Sequence, residues 1–211
     1  MDLCKAVADE RDTEIGSYFY RCITGVYNAL EVLSADHRYG ISFLRENPFA
    51  FCATEPTGYQ EPCYTNMIPV LLASGGGDFG AMARRVEAIE EKDDDFSIRF
   101  MAISALFHEF TRAHLAGQKD IGEGILACRS LERRAHRACI DGLSGGFMKY
   151  GEPKKEYVKG LAFCDSSGLL LGEKNICLEH ILSRLRIWYA PPEAERICAS
   201  VGEPYRRYCR L

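Results

Sequence analysis

The 211-residue chain is 47% hydrophobic and 27% charged, long enough to bury a continuous core and too apolar for a disordered segment. A net charge of -4 supplies no global basic field, which argues against a nucleic-acid or anionic-membrane binder. The best apolar run, 67–73, is interrupted by Pro69 and falls far short of the roughly 20 residues that cross a bilayer, so no membrane span is expected. Charge is unevenly placed: residues 1–105 carry 9 Lys and Arg against 17 Asp and Glu, a balance of -8, whereas residues 106–211 carry 17 against 13, a balance of +4.

The chain opens on Met-Asp-Leu-Cys-Lys-Ala-Val-Ala-Asp-Glu, with neither the basic n-region nor the apolar h-region of a secretory signal. Residues 40–52 read as a helix ending at Cys52. Ser74-Gly75-Gly76-Gly77-Asp78 lacks the preceding strand and the following Gly-Lys-Ser/Thr of a phosphate loop, so a connector is expected. From Phe96 to Gly117 the sequence predicts an amphipathic helix, because Phe96, Phe100, Ile103, Phe107, Phe110 and His114 alternate at four- and three-residue spacings. His114, on that stripe, is expected to be buried and structural, with His108, Glu109 and Arg112 on a solvated charged face. Residues 120–128 and 154–164 read as further helices that end at a cysteine, and a dense basic turn of Arg129, Arg133, Arg134, His136 and Arg137 follows the first. Gly142, Gly145 and Gly146, beside Asp141 and Ser144, imply a wide turn or a packed small-residue helix contact.

A helix is predicted from Cys177 through Tyr189, with Ile181, Leu182, Leu185 and Trp188 at helical spacing. Another runs from Pro191-Pro192-Glu193 to Cys198, since proline loses nothing in a first turn and an acidic residue suits the positive end of the dipole. Runs of alternating β-branched residues are scarce, so no sheet is expected.

Ten cysteines are more than a reducing compartment usually holds without metal, yet no CxxC occurs and at least ten residues separate any two of them. Disulfides between consecutive cysteines follow: Cys4 with Cys22, Cys52 with Cys63, Cys128 with Cys139, Cys164 with Cys177, and Cys198 with Cys209. Four of the five loops enclose only 10 to 12 residues. The first members of the last three pairs are 36 and 34 residues apart, and Cys52 to Cys128 is 76, twice 38. Sequence agrees with spacing: Cys52-Ala53-Thr54 with Tyr59 and Cys63 repeats as Cys198-Ala199-Ser200 with Tyr205 and Cys209, and Cys22-Ile23-Thr24-Gly25 repeats as Cys139-Ile140-Asp141-Gly142. A period near 35 with helical patterning belongs to stacked helix pairs. The expected fold is all-α, an α-solenoid-like single domain over 1–211 of about six units, each staple joining the end of one helix to the start of the next. Segment 64–118 is the unstapled unit and 119–211 the clearest repeats.

Helix pairs with this period and one cysteine pair per unit resemble cysteine-rich Sel1-like and tetratricopeptide-like repeat proteins, and also cysteine-paired helical proteins of bacterial genomes. The likeness is architectural and covers residues 120–211. Sel1 repeats place their cysteines seven residues apart, a spacing this chain does not share, and no functional residue carries over. The resemblance implies an exported binding scaffold.

Two functional readings result. In the first, an extracytoplasmic scaffold, exported as a mature form or fragment, presents a groove to a protein, peptide or glycan, with Arg129, Arg133, Arg134, His136 and Arg137 as its electrostatic anchor. The alternative is a hydrolase or metal-dependent enzyme on the helix bearing His108, Glu109 and Arg112, which share a face at three- and four-residue spacings. His108 and His114 cannot serve one zinc ion, since six residues turn a helix by about 240°. Catalysis requires a concave site where His108, or His114 with a partner such as His136 or Asp141, converges with perturbed ionisable groups. No metal site, cofactor or Ser-His-Asp set is expected from the sequence.

Overall fold

In the computed structural model the described residues are 2–7, 17–41, 47–91 and 97–209, and they form helices and turns with no strand. The chain divides into two compact units, Met1–Ala105 and Leu106–Leu211. The first holds α1 (Asp2–Val7), α2 (Tyr18–Leu33), α3 (Pro48–Thr54), α4 (Thr57–Asn66), α5 (Ile68–Ser74), α6 (Phe79–Glu87) and the start of α7 (Ser97–Leu115). The second holds the rest of α7, α8 (Ile121–Arg129), α9 (Arg133–Tyr150), α10 (Glu156–Asp165), α11 (Leu171–Ser183), α12 (Leu185–Trp188) and α13 (Pro191–Ala199). Where the sequence suggests one array over 1–211, the division falls within α7, and the unstapled segment 64–118 is shared between the two units.

Local chemistry sets the helix starts. Side-chain oxygens of Ser17, Asn47, Asp78 and Asp120 accept backbone N–H groups of the first turns of α2, α3, α6 and α8, which would otherwise lack partners. Pro48 and Pro191 occupy first turns, where their missing N–H costs nothing. The triple glycine is a connector: Gly76 and Gly77 have φ of 63° and 79°, which side chains oppose, and Asp78 then caps α6. Of the phenylalanine stripe, Ile103, Phe107 and Phe110 are buried and Phe100 is half-buried, while Phe96 lies outside the described residues. The helix expected over 40–52 begins only at Pro48, as residues 42–46 are not described.

All five consecutive cysteine pairs are bonded, and no cysteine is free. Such chemistry belongs to an oxidising environment. The staples land differently from the expectation, however. Cys63, Cys139 and Cys177 lie within α4, α9 and α11, not at their first residues. Each second helix starts several residues earlier because the turn is short: three residues separate α8 from α9 and two separate α3 from α4. Reaching back along the partner helix, the bridge ties helix end to helix side.

In the first unit α2 packs on α4, with Phe19 edge-on to Tyr59 and Tyr20 donating to Glu61 Oε1 at 2.8 Å. In the second unit α9 is central, packing on α8, α10 and α11. α9 and α11 run in the same direction, since His136 meets Glu173 near both starts and Asp141 meets His180 further along. α8 with α9 and α10 with α11 are thus two stapled hairpins whose second helices lie side by side. Among the described residues no helix is long and apolar enough to cross a membrane.

Because a closed loop this short restricts the unfolded chain by about 3 kcal/mol, replacing Cys164 and Cys177 together by Ser is expected to lower stability by about that amount. Urea unfolding of oxidised wild type and the double variant checks it, and equal midpoints would deny the staple its stabilising role.

Candidate functional site

Polar chemistry in the second unit is arranged around the small-residue face of α9. Gly142, Ser144, Gly145 and Gly146 are all buried within the helix, so of the two sequence alternatives this is the packed contact and not a wide turn. Neighbouring helices approach to backbone distance there. A Cβ on Gly146 would lie 2.4 Å from Thr111 Cβ, and Thr111 Oγ1 donates to the Leu143 carbonyl at 2.9 Å, which lays α7 along α9.

One residue earlier, a Cβ on Gly145 would stand 2.4 Å from His108 Nε2 and 2.8 Å from His180 Nε2. Imidazoles from α7 and α11 therefore aim their Nε2 atoms at one glycine, and the two nitrogens are at most about 5 Å apart, the sum of those distances. His180 is buried, and its Nδ1 lies 2.7 Å from Asp141 Oδ1. A carboxylate only accepts, so Nδ1 carries a ring proton, and in the neutral ring Nε2 is the nitrogen with the lone pair. Arg184 Nη1 also approaches Nδ1 at 3.0 Å, but with that proton given to Asp141 its hydrogen bond goes to the His180 carbonyl at 3.4 Å.

His108 retains some accessible surface as a residue, yet its Nε2 is buried with no hydrogen-bond partner. Burial, reinforced by the charges of Lys149, His180 and Arg184 and only partly offset by Asp141, pushes its pKa down to about 3. Burial alone would raise Asp141, but the hydrogen bond and charge of His180, together with Arg184, hold it below the usual carboxylate range. The charged face expected at 108, 109 and 112 is thereby corrected, since His108 turns inward on Gly145. Glu109 accepts from Tyr150 Oη, and its Oε2 takes Arg112 Nε at 2.6 Å, so the three residues do not form a common site. His114 is half-buried where full burial was expected: its Nδ1 is 3.0 Å from the Lys119 carbonyl and its ring meets Phe147 edge-on. Among the described residues no three His, Cys, Asp or Glu side chains converge as metal ligands.

The basic cluster is not one surface patch. Arg129 closes α8, and Arg133 to Arg137 form the first turns of α9. Arg129 grips buried Glu173 with two bonds, Nε to Oε1 at 2.8 Å and Nη2 to Oε2 at 2.7 Å, and His136 Nε2 lies 3.0 Å from Oε1. Glu173 also accepts the Leu170 N–H at the start of α11. Desolvation opposes its charge, but Arg129, that N–H and His136 prevail and hold the carboxyl down to about 2. Arg137 pairs with Glu179 at 3.0 Å on the surface, a contact of small energy. Arg133 and Arg134 are exposed and rim a cleft of about 680 Å³, with Leu170, Ile176 and Tyr208 among its lining. The sequence marks Asp141 and the arginines as candidates but carries no local signal for His180 and Glu173, whose acidic and basic partners lie 37 to 44 residues away.

Comparison with known proteins returns no matching family model, curated protein or solved structure.

Gly145→Ala drives a methyl group into both imidazoles and is expected to cost about 1–3 kcal/mol, the usual range for overpacking, readable as a lower melting temperature. An unchanged melting temperature would place the rings elsewhere. The pH dependence follows from His108: below about pH 6.5 the unfolded chain binds a proton that the folded ring refuses until about pH 3. Stability is therefore lost as pH falls through that window, by about 2–3 kcal/mol between pH 6.5 and 4.5. His108→Phe should remove that share of the loss, measured as the difference in urea midpoints at the two pH values.

Proposed function

We propose that this chain is an extracytoplasmic, disulfide-stapled interaction scaffold of stacked helix pairs, and that its second unit binds an acidic, partly apolar peptide segment of a partner protein. The observation that carries the reading is the cleft between α9 and α11, which sets exposed Arg133 and Arg134 above apolar Leu170 and Ile176. Leu170 is 60% exposed, a large apolar side chain held in water beside two cations. A ligand with a carboxylate and an aliphatic or aromatic side chain matches both features, and guanidinium groups suit carboxylates through paired donors.

The side-by-side second helices of the two stapled hairpins support the stacked-pair arrangement, since solenoids place equivalent helices along one binding surface. Arg129 and His136 take no direct part in binding: their donors are spent on Glu173, and they hold the floor of the cleft. An oxidising compartment suits the five bridges.

Replacing Arg133 and Arg134 together by Ser should weaken binding of an acidic, leucine-containing peptide by about 1–3 kcal/mol, reduce its salt dependence and leave the melting temperature nearly unchanged. Titration of a fluorescent Glu/Leu peptide into wild type and variant at low and moderate salt decides it. Equal affinities at low salt would remove the cleft from the functional account.

A further inference from the structure

We propose that His108 Nε2 and His180 Nε2 form a two-coordinate site for a soft monovalent metal ion, of the class of cuprous copper, over the bare Cα of Gly145. The convergence of the two nitrogens is the starting point. Each lies within 3 Å of one point, and they are at most about 5 Å apart. Metal–imidazole bonds are about 2.0 Å, so two nitrogens on opposite sides of an ion stand about 4 Å apart, within that limit.

Protonation states fit a ligand pair. Asp141 accepts a hydrogen bond from His180 Nδ1–H, so in the neutral ring Nε2 is the lone-pair donor with a carboxylate behind it, the arrangement that orients metal-binding histidines and raises their basicity. His108 offers a buried Nε2 with no hydrogen-bond partner, and its ring stays neutral across the physiological range. A buried nitrogen left unpaired in a helical core calls for an occupant or a role. Gly145 is what permits the convergence, since any side chain there would fill the space.

The class of ion follows from donor number and charge. Zinc in structural sites takes four ligands, and among the described residues no third His, Cys, Asp or Glu joins the pair. Lys149 and Arg184 act on His108 from α9 and just past the end of α11, and Asp141 partly offsets them. That field is net positive, so it penalises a divalent ion more than a monovalent one, and of the two a single charge is the less opposed. Imidazole suits copper, and two neutral donors suit its monovalent d10 form.

Silver(I) is the probe, because it shares the charge and the linear preference of cuprous copper without a reductant that would open the disulfides. Titrating silver nitrate into the oxidised full chain in chloride-free buffer, followed by long-range 1H–15N spectra of the imidazoles, should shift both Nε2 signals together at one ion per chain. Asp141→Asn should weaken that binding about tenfold to a hundredfold. His108→Phe should abolish the paired shift while the silver-free melting temperature stays level or rises, because an unpaired buried nitrogen is removed. The proposal is overturned if silver binds without moving both signals, as it would on the five methionines. It is equally overturned if His108→Phe binds as wild type does, or if zinc occupies the pair as tightly as silver. Because the wild-type spectra suffice, a poorly folding variant does not spare it.

Discussion

A helix of nine or ten residues is marginal in water, because its nucleation cost is spread over too few hydrogen bonds. α8, α10 and α13 are all of this length. What makes them persistent is the covalent tie each has to a neighbour: Cys128 to Cys139, Cys164 to Cys177, Cys198 to Cys209. With its two members held at a Cα separation of 5.4 to 6.2 Å, each pair becomes one rigid piece, and the remaining work of folding is to pack such pieces. Because the Cys128–Cys139 and Cys164–Cys177 bridges reach from a helix end to the side of its partner, they also fix how far one helix slides along the other.

Within that frame α9 decides what the second unit can do. Its small residues let α7 and α11 come close enough for side chains to meet over the helix backbone, and the side chains that meet are polar. Thr111 ties to a backbone carbonyl, whereas His108 and His180 bring their Nε2 atoms to one point over Gly145. A Cβ at 145 would collide with both imidazoles, so only glycine lets them converge there. Here the glycine holds two ring nitrogens, a carboxylate and two nearby cations in a small volume, where unpaired groups are costly and protonation is strongly biased.

Electrostatics in the same unit divides into a structural and an exposed half. Arg129 and His136 satisfy Glu173, a carboxylate buried at the start of α11, and so join the two hairpins. Breaking such a pair leaves a charge stranded, which ties these residues to the fold. Arg133 and Arg134, the first two residues of α9, are exposed and line the same cleft as Leu170. The basic residues between 129 and 137 are therefore split between a buried carboxylate and the surface, decided by where each one lies on its helix.

The helical class, the absence of strands in the described residues, the connector at Gly75 to Gly77 and the five disulfides were all legible in the sequence. Each rests on short-range rules: hydrophobic period, turn chemistry, and cysteines that follow one another closely, four of the five loops enclosing only 10 to 12 residues. The inward turn of His108 was not legible, because helical spacing gives a residue's angle but not which neighbour covers it, and the same spacing equally allowed a solvated face with Glu109 and Arg112. Nor did any local pattern connect His180 to Asp141, or Glu173 to Arg129, across 39 and 44 residues. Those meetings exist because α9 and α11 run side by side in the same direction, and only the packing of one stapled hairpin on the next could bring a glycine, two imidazoles and a carboxylate to the same place.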